Sequence, residues 1–365
     1  MTTITSLRLT DFRSYAALDL RLAARITALE GPNGSGKTNL LEAISLLAPG
    51  RGLRGAKFAE LSRRAPDAGG GWAVAARLTT AGREFTLGTG IDTPGADRRR
   101  IMLDGDPVTA SVAAAHYACV WLTPQMDRLF TEGASARRRF LDRLTLALAP
   151  GHAREVAAYE AAAANRNRQL EQNTADPAWL TIIEDSMARH AAALTAARLD
   201  LIARLNQTLA RGDLAPFPAA QMALDCKIAA RLATQPALAV EDGLRHHYAT
   251  TRADPAAVIS PQRADLTLTD ASGLTASLAS TGQQRAMLVA TILAHAELVT
   301  TLRGTAPTLL LDEPFVHLDA PHRTALGAAL SRLETQIICT ATDHDQLTTL
   351  GPDAEIRQVA EGRIG

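Results

Sequence analysis

The chain opens with apolar positions set among small polar ones. Ile4, Leu7 and Leu9 predict a strand, and Leu18 to Leu22 continues in the same style. Ile26 to Leu29 is a short apolar run that ends in a glycine-rich turn. From Asn39 the period lengthens to that of a helix, with Leu40, Leu41, Ile44 and Leu47 on one face. Trp72 to Leu78 and Glu84 to Gly88 read as strands separated by a turn at Ala81-Gly82, and Arg100 to Asp106 as a hairpin. Between about Ala136 and Ala210 the texture changes to alanine-rich and charged, with few strand formers. Two long helices, about 150–173 and 177–211, are expected there as an antiparallel arm. Asp176-Pro177 serves as N-cap and first helical residue, and Arg211-Gly212 as the stop. The last third returns to strands and helices: an apolar helix after Gly282, a buried-strand run Leu309 to Leu311, a helix after Pro321 and a strand from Gln336 to Thr340. The resulting division is 1–135 and 216–365 for two halves of one α/β lobe, with a helical insertion at 136–215.

Composition narrows this picture. The 365 residues suffice for two or three domains, 47% are apolar and 21% charged, and a chain of this size needs no disulfide or metal staple. The three cysteines, Cys119, Cys226 and Cys339, lie far apart and exclude a disulfide scaffold or a zinc finger. With no 18-residue apolar run and a strand-like start, the chain is expected to be soluble and cytoplasmic, with no membrane partner. Thirty-eight basic residues balance 38 acidic ones, so any contact with nucleic acid must come from local patches. Of the basic residues, 35 are Arg and only 3 are Lys, which gives each lysine added interest.

One of them lies in Gly31-Pro32-Asn33-Gly34-Ser35-Gly36-Lys37-Thr38, a complete G-x-x-x-x-G-K-[ST] motif between a predicted strand and a predicted helix. Its glycines let the backbone wrap a triphosphate, and the amides at the helix start supply positive dipoles. Lys37 reaches the β- and γ-phosphates, where a compact ammonium fits better than a planar guanidinium, and the Thr38 hydroxyl ligates Mg²⁺. Leu309-Leu310-Leu311-Asp312-Glu313 places two carboxylates at the end of a buried strand. Asp312 completes the Mg²⁺ shell, and Glu313 polarises the attacking water as a general base. ATP and Mg²⁺ are the expected cofactors.

Ser280-Thr281-Gly282-Gln283, ahead of a long apolar helix, resembles the signature motif of ABC-type ATPases. It stands 29 residues before Leu309, in that group's order, and His317-Leu318-Asp319 resembles its D-loop. This implies a composite site in an ATP-dependent homodimer, with the signature residues acting in trans and Asp319 as the D-loop acid. By the same resemblance Gln125, after the run Leu122-Thr123-Pro124, is the lid-loop glutamine that touches Mg²⁺ and water.

The likeness becomes specific in Leu7 to Tyr15, in Asn39-Leu-Leu-Glu-Ala43 after the P-loop, and in Gly50-Arg-Gly-Leu-Arg54. It extends through Pro124-Gln-Met-Asp127 with Arg137-Arg-Arg-Phe-Leu-Asp142, and through Ser260-Pro-Gln-Arg-Ala-Asp-Leu266 and Ser280 to Arg285. Together these stretches resemble the RecF family of DNA repair ATPases, relatives of SMC-type head domains, over essentially the whole chain. The resemblance implies an ABC/SMC-head-type P-loop ATPase with a helical insertion lobe, whose weak, DNA-stimulated hydrolysis serves as a switch. It further implies binding to duplex, gapped and single-stranded DNA, and action with RecO- and RecR-like partners in repair, replication restart and the SOS response. Departures from the family pattern are Ser260, Gln262 and Ala264 in the GPHRDDL stretch, Gln125 in place of an acid, and Thr342 where transporters carry a switch histidine, with His344 two residues on. Asn39 is grouped with the nucleotide-binding residues. Arg51, Arg54, Lys57, Arg63 and Arg64 are candidates for backbone contact with DNA. Arg98 to Arg100 and Arg137 to Arg139 are further basic patches, and Arg137 to Arg139 serve equally as partners of nearby acids such as Asp142. Two other classes stay open: a largely non-hydrolysing ATP-gated scaffold, and another P-loop enzyme such as a kinase or an OLD-like nuclease.

Overall fold

The structure, a computed structural model, describes residues 1–171, 176–360 and 362–365. In chain order it begins with β1 (Thr2–Phe12), β2 (Tyr15–Arg21), β3 (Ile26–Glu30), α1 (Lys37–Ser45), β4 (Trp72–Thr80), β5 (Arg83–Ile91), β6 (Arg100–Leu103), β7 (Asp106–Pro107), α2 (Ala110–His116) and β8 (Cys119–Leu122). A mostly helical stretch follows: α3 (Ala134–Leu148), α4 (His152–Glu171), α5 (Pro177–Leu209), β9 (Gln221–Asp225), α6 (Lys227–Leu232), α7 (Ala237–Thr250) and β10 (Asp265–Thr269). The chain ends with α8 (Thr281–Arg303), β11 (Thr308–Leu311), α9 (Ala320–Arg332), β12 (Ile337–Ala341), β13 (Ala354–Ala360) and β14 (Arg363–Ile364).

These elements fall into two compact units. The first comprises Met1–Arg128, Arg211–Ala219 and Ala279–Gly365; the second comprises Leu129–Ala210 and Ala220–Leu278. The first unit contains two six-stranded sheets. One is antiparallel, in the order β2-β1-β4-β5-β6-β7, and its strands alternate buried and exposed positions because only one face is covered. The other runs β14-β13-β3-β12-β11-β8 and is parallel except at β14. Its central strands are continuously apolar: Leu309, Leu310, Ile337, Ile338 and Cys339 are all fully buried, as expected of strands covered on both faces. By length and composition α8 could cross a bilayer, but 78% of its apolar window is buried within the structure, so core packing accounts for its apolarity.

In the second unit, α4 and α5 form the expected antiparallel pair. Glu155 meets His190 and Arg166 meets Glu184, so position on one helix rises as the other falls. Asp176 accepts a hydrogen bond from the Ala178 amide with Pro177 at the first helical position, as the capping chemistry requires. The expected end of the first helix, at 172–173, lies outside the described residues.

The boundary expected at residue 215 is not where the compact unit ends. Ile228, Val240, Leu244 and Tyr248, from α6 and α7, pack into one core with Ile183, Met187 and Leu194 of α5. Residues 220–278 therefore belong with the helical unit and not with the ATPase lobe. Its first member, α3, begins at Ala134, ahead of the expected arm.

Candidate functional site

In the parallel sheet β3, β12, β11 and β8 are neighbours with the same direction, so their carboxyl ends share one edge. Ligands of open α/β sheets bind at that edge. Gly31 to Gly36 follow β3 there. Gly34 and Gly36 have φ of 81° and 113°, a left-handed backbone that a side chain would strain. At Gly36 there is also no room, since a Cβ would come within 2.9 Å of the Tyr15 hydroxyl, which donates to the Gly36 carbonyl at 3.1 Å. At Gly31 a Cβ would collide with the Val359 carbonyl at 2.2 Å, so β13 presses directly on the loop.

Lys37 begins α1 and is buried, with Nζ donating to the carbonyls of Gly31 at 2.5 Å and Pro32 at 2.9 Å. The ammonium thus closes the loop on itself using neutral acceptors, which a phosphate can replace. Burial pushes the Lys37 ammonium below its usual pKa, while the carboxylates of Glu313 and Asp312 pull it back up. The Ser35 hydroxyl is buried without a hydrogen-bond partner among the described residues. Pro32 and Asn33 complete the loop. Asn39, on the first turn of α1, donates to the Ser14 hydroxyl at 2.9 Å and accepts from Arg54 at 2.8 Å.

Asp312 emerges from the end of β11, two strands away from the P-loop, and the strand between supplies the link. Asp312 Oδ1 accepts from Thr38 Oγ1 at 3.0 Å and from Thr340 Oγ1, on β12, at 2.8 Å. The Thr340 hydroxyl in turn accepts from the Glu313 amide at 2.9 Å. Thr38 and Asp312, 274 residues apart in the chain, are thereby brought within hydrogen-bond distance of each other. Among the described residues no group of three or more His, Cys, Asp or Glu side chains could hold a metal alone. A threonine hydroxyl and one carboxylate fit Mg²⁺, which keeps waters and takes phosphate oxygens for the rest of its shell. Glu313 has a left-handed φ of 48°, and its carbonyl accepts from Arg285 Nη2 at 2.9 Å. Its backbone is therefore pinned at both ends.

Arg285 has no exposed surface and is a residue to which sequence reasoning gave no role. From α8 it donates to Glu313, to the Thr123 carbonyl at 3.3 Å and to Asp127 Oδ1 at 2.8 Å. Asp127 also faces His317 Nδ1 at 3.4 Å. One guanidinium thus ties the signature helix, the strand end carrying Glu313 and the segment around Gln125. Its position directly after Gln283-Gln284 was visible; its burial was not. Thr340 and Tyr15 were missed for the same reason.

Ser280 to Gln283 are exposed at the start of α8, where Ser280 Oγ accepts from the Gln283 amide and Gln283 Oε1 accepts from the Ser280 amide at 2.9 Å. This is a capping box, which stabilises the helix start while leaving Thr281 and Gly282 open to another surface. Asp319 caps α9 by accepting from the His322 amide at 2.9 Å, and that hydrogen bond, with the His322 ring, holds its carboxyl below the usual range. Gln125 is exposed at the start of a 3₁₀ turn, Pro124–Arg128. His344 pairs with Glu30 at 3.0 Å, at the end of β3, and the carboxylate raises its pKa.

The arginine candidates divide. Arg54 and Arg13 both bind the fully buried Glu42, and Arg63 binds Asp11 at 2.8 Å and Asp67 at 3.0 Å. Arg51, Lys57 and Arg64 are exposed, and their side chains have no carboxylate partner among the described residues. Arg99 caps the carbonyls of Leu46 and Ala48, while Arg137 forks onto Asp265. These last two are thus occupied in structural contacts.

Comparison with known proteins gives the family and the fold. The family model described as the RecF/RecN/SMC N terminal domain matches residues 3–363. A curated relative from Rhizobium rhizogenes, named DNA replication and repair protein RecF, is 42% identical over 99% of this chain and 98% of its own length. The Mesorhizobium japonicum protein of the same name is 41% identical over 100% and 98%. Among solved structures, a recombination mediator protein RecF-ATP of the RecFOR pathway superposes with a TM-score of 0.84 at 21% identity, covering 100% of this chain and 99% of that one. An SmcHead bound to the C-winged helix domain of ScpA gives 0.56 at 17% identity, over 99% and 95%. These two show the fold: α/β, of the RecF and SMC-head ATPase type.

Proposed function

The chain belongs to the RecF family of the RecF/RecN/SMC N-terminal domain proteins, and from that premise we propose that it is an ATP-gated DNA-binding repair protein. The observation that carries this reading is the hydrogen-bonded chain Thr38–Asp312–Thr340–Glu313 beside Lys37 at one sheet edge. ATP lies along the loop Gly31 to Thr38, with Lys37 exchanging its carbonyl contacts for phosphate oxygens. Thr38 and Asp312 would hold Mg²⁺, which when bound would supply charge neutralisation for the phosphates. Glu313 accepts a proton from the attacking water, and Gln125 orients that water.

Ser280 to Gln283 are exposed and already satisfied as a cap, which suits action on the nucleotide of a second copy, with Asp319 at the same seam. ATP then gates a homodimer and hydrolysis releases it. Of the five candidates, Arg51, Lys57 and Arg64 have side chains that remain available for DNA phosphates, with Arg54 and Arg63 contributing charge from within their ion pairs. The names of the relatives support work in repair and replication. The solved neighbour is a recombination mediator of the RecFOR pathway, which supports RecO- and RecR-type partners; gapped or single-stranded substrates, recombinase loading and a part in the SOS response are what the family resemblance adds to this proposal.

The test is Glu313→Gln. It is expected to retain ATP, to lose hydrolysis by about 10²–10⁴-fold and to accumulate as a dimer by sedimentation. A variant that stays monomeric with saturating ATP at micromolar concentration overturns the composite site. In a parallel salt titration, ATP-dependent DNA binding should weaken steeply with salt, and Arg51→Gln with Arg64→Gln should flatten that slope by about two.

A further inference from the structure

The second unit carries a half-open cavity of about 600 Å³ that the nucleotide site does not use. Its wall is built from segments 138–142 and 260–263 together with α4 and α5. It carries five arginines, Arg138, Arg139, Arg166, Arg198 and Arg263, against two carboxylates, Asp142 and Glu160, a surplus of three positive charges.

Not all of these cations are spent on the fold. Arg198 is: it forks onto Asp142 at 2.8 and 2.9 Å and donates to the Pro261 carbonyl at 2.9 Å. Arg138 donates to the Ala264 carbonyl at 2.8 Å, Arg139 to the Ser135 hydroxyl at 3.3 Å and Arg263 to the Ala256 carbonyl at 2.5 Å. None of these three has a carboxylate partner among the described residues. Arg166 is the clearest case. It is 0% exposed, its Nε binds Glu184 and its Nη2 binds the Tyr248 carbonyl, while its Nη1 is buried with no acceptor among the described residues. Nor does Glu184 belong to Arg166 alone, since Arg252 also binds it at 2.6 Å.

A buried guanidinium N–H without an acceptor is costly, and a cavity lined by uncompensated arginines lowers that cost by taking up an anion. The guanidinium fork matches the oxygens of a phosphate, and a surplus of three charges matches a diphosphate better than a single carboxylate. Val156, Met187, Leu194 and Val258 also line the cavity and give it apolar surface beside the arginines. A space of this volume is that of a small-molecule site, larger than one inorganic phosphate.

We propose that this cavity is a second anion site, for a phosphorylated ligand of nucleotide size whose phosphates meet Arg138, Arg166 and Arg263 and whose organic part lies on Met187 and Leu194. The same phosphate chemistry could be offered by a free nucleotide or by the phosphorylated end of a DNA strand.

Calorimetric titration of the full chain distinguishes them. Pyrophosphate, ADP and a DNA decamer with either a 5′-phosphate or a 5′-hydroxyl are titrated into Lys37→Ala, which weakens the P-loop, and into the same chain carrying Arg138→Gln and Arg263→Gln. Both substitutions remove groups without carboxylate partners, so folding should persist and is checked by melting. Pyrophosphate or ADP binding that weakens at least about tenfold per arginine removed supports the proposal with a free ligand as source. Binding of the 5′-phosphorylated decamer alone, lost in the same variant, supports it with a strand end as source. Binding of no probe, or binding indifferent to both arginines, overturns it. Where a free nucleotide is the source, ADP should occupy two sites per chain of wild-type protein and lose one on Arg138→Gln with Arg263→Gln. If the P-loop reading fails instead, pyrophosphate binding sensitive to Arg138 and Arg263 remains.

Discussion

The nucleotide edge of the first unit and the interior of the second both bury charge, but they hold it with different chemistry. At the edge the cation is a lysine resting on two backbone carbonyls, and the carboxylate of Asp312 is held by two threonine hydroxyls. In the second unit the cations are arginine forks clamped on carboxylates: Arg198 on Asp142, Arg137 on Asp265 and Arg252 on Glu184, with Arg166 adding a single bond to Glu184. A group that must exchange partners during a cycle is tied by neutral, replaceable contacts. A group that must hold helices together is tied by two parallel charge-assisted hydrogen bonds. Substitution at each place should therefore fail in a different way.

The largest effect is expected in the second unit. Arg198→Met strands a largely buried Asp142 and should lower stability by about 3–5 kcal/mol with ATP affinity unchanged in whatever remains folded, read by chemical denaturation. The same fork predicts acid lability. Burial alone would raise the Asp142 carboxyl, but hydrogen bonds from His152 and Arg198 hold it below the ordinary value of 3.8. The unfolded chain then binds the proton more readily than the folded one. The stabilisation is therefore present above that value and is lost as pH falls through the lower folded pKa. In Arg198→Met this acid step should shrink.

Next in size is Lys37→Arg. The planar guanidinium cannot sit in the space that takes an ammonium, and nucleotide affinity should fall about 100-fold or more while the melting temperature hardly moves. Unchanged affinity would erase the contrast between the two regions. Smaller still is Thr340→Val. It removes the hydroxyl that joins Asp312 to the Glu313 amide, and it should cost about 1–3 kcal/mol of stability or an equivalent slowing of hydrolysis, with nucleotide binding nearly intact.

What could be read in advance follows the same division. Residues 31–38 are contiguous, and their chemistry is local: glycines for backbone freedom, one lysine and one threonine. The parallel strands announced themselves as short, mostly apolar runs at 26–29 and 309–311. The rest depended on partners distant in the chain. Residues 220–278 join the helical unit because Val240, Leu244 and Tyr248 complete the core beneath α5, which their own periodicity does not reveal. β13 is polar and half-exposed, with Ile356 at 37%, and is a strand only because it pairs alongside β3. Arg54 and Arg63 looked like free basic residues until Glu42 and Asp11 were seen across from them, 12 and 52 positions away. Arg285 looked like one more arginine on a helix, and only folding shows it against Asp127 and Glu313.

The central claim is that one chain supplies Lys37, Asp312 and Glu313 while a second copy supplies Ser280 to Gln283. Mixing subunits tests it most directly. Glu313→Gln lacks the base, Ser280→Arg lacks the signature, and neither should hydrolyse ATP alone. When the two are combined before ATP is added, the mixed dimer regains one complete site, and the ATPase rate of the mixture should rise well above that of either variant. A mixture as inactive as its parts, under conditions where mixed dimers are seen to form, would contradict the account.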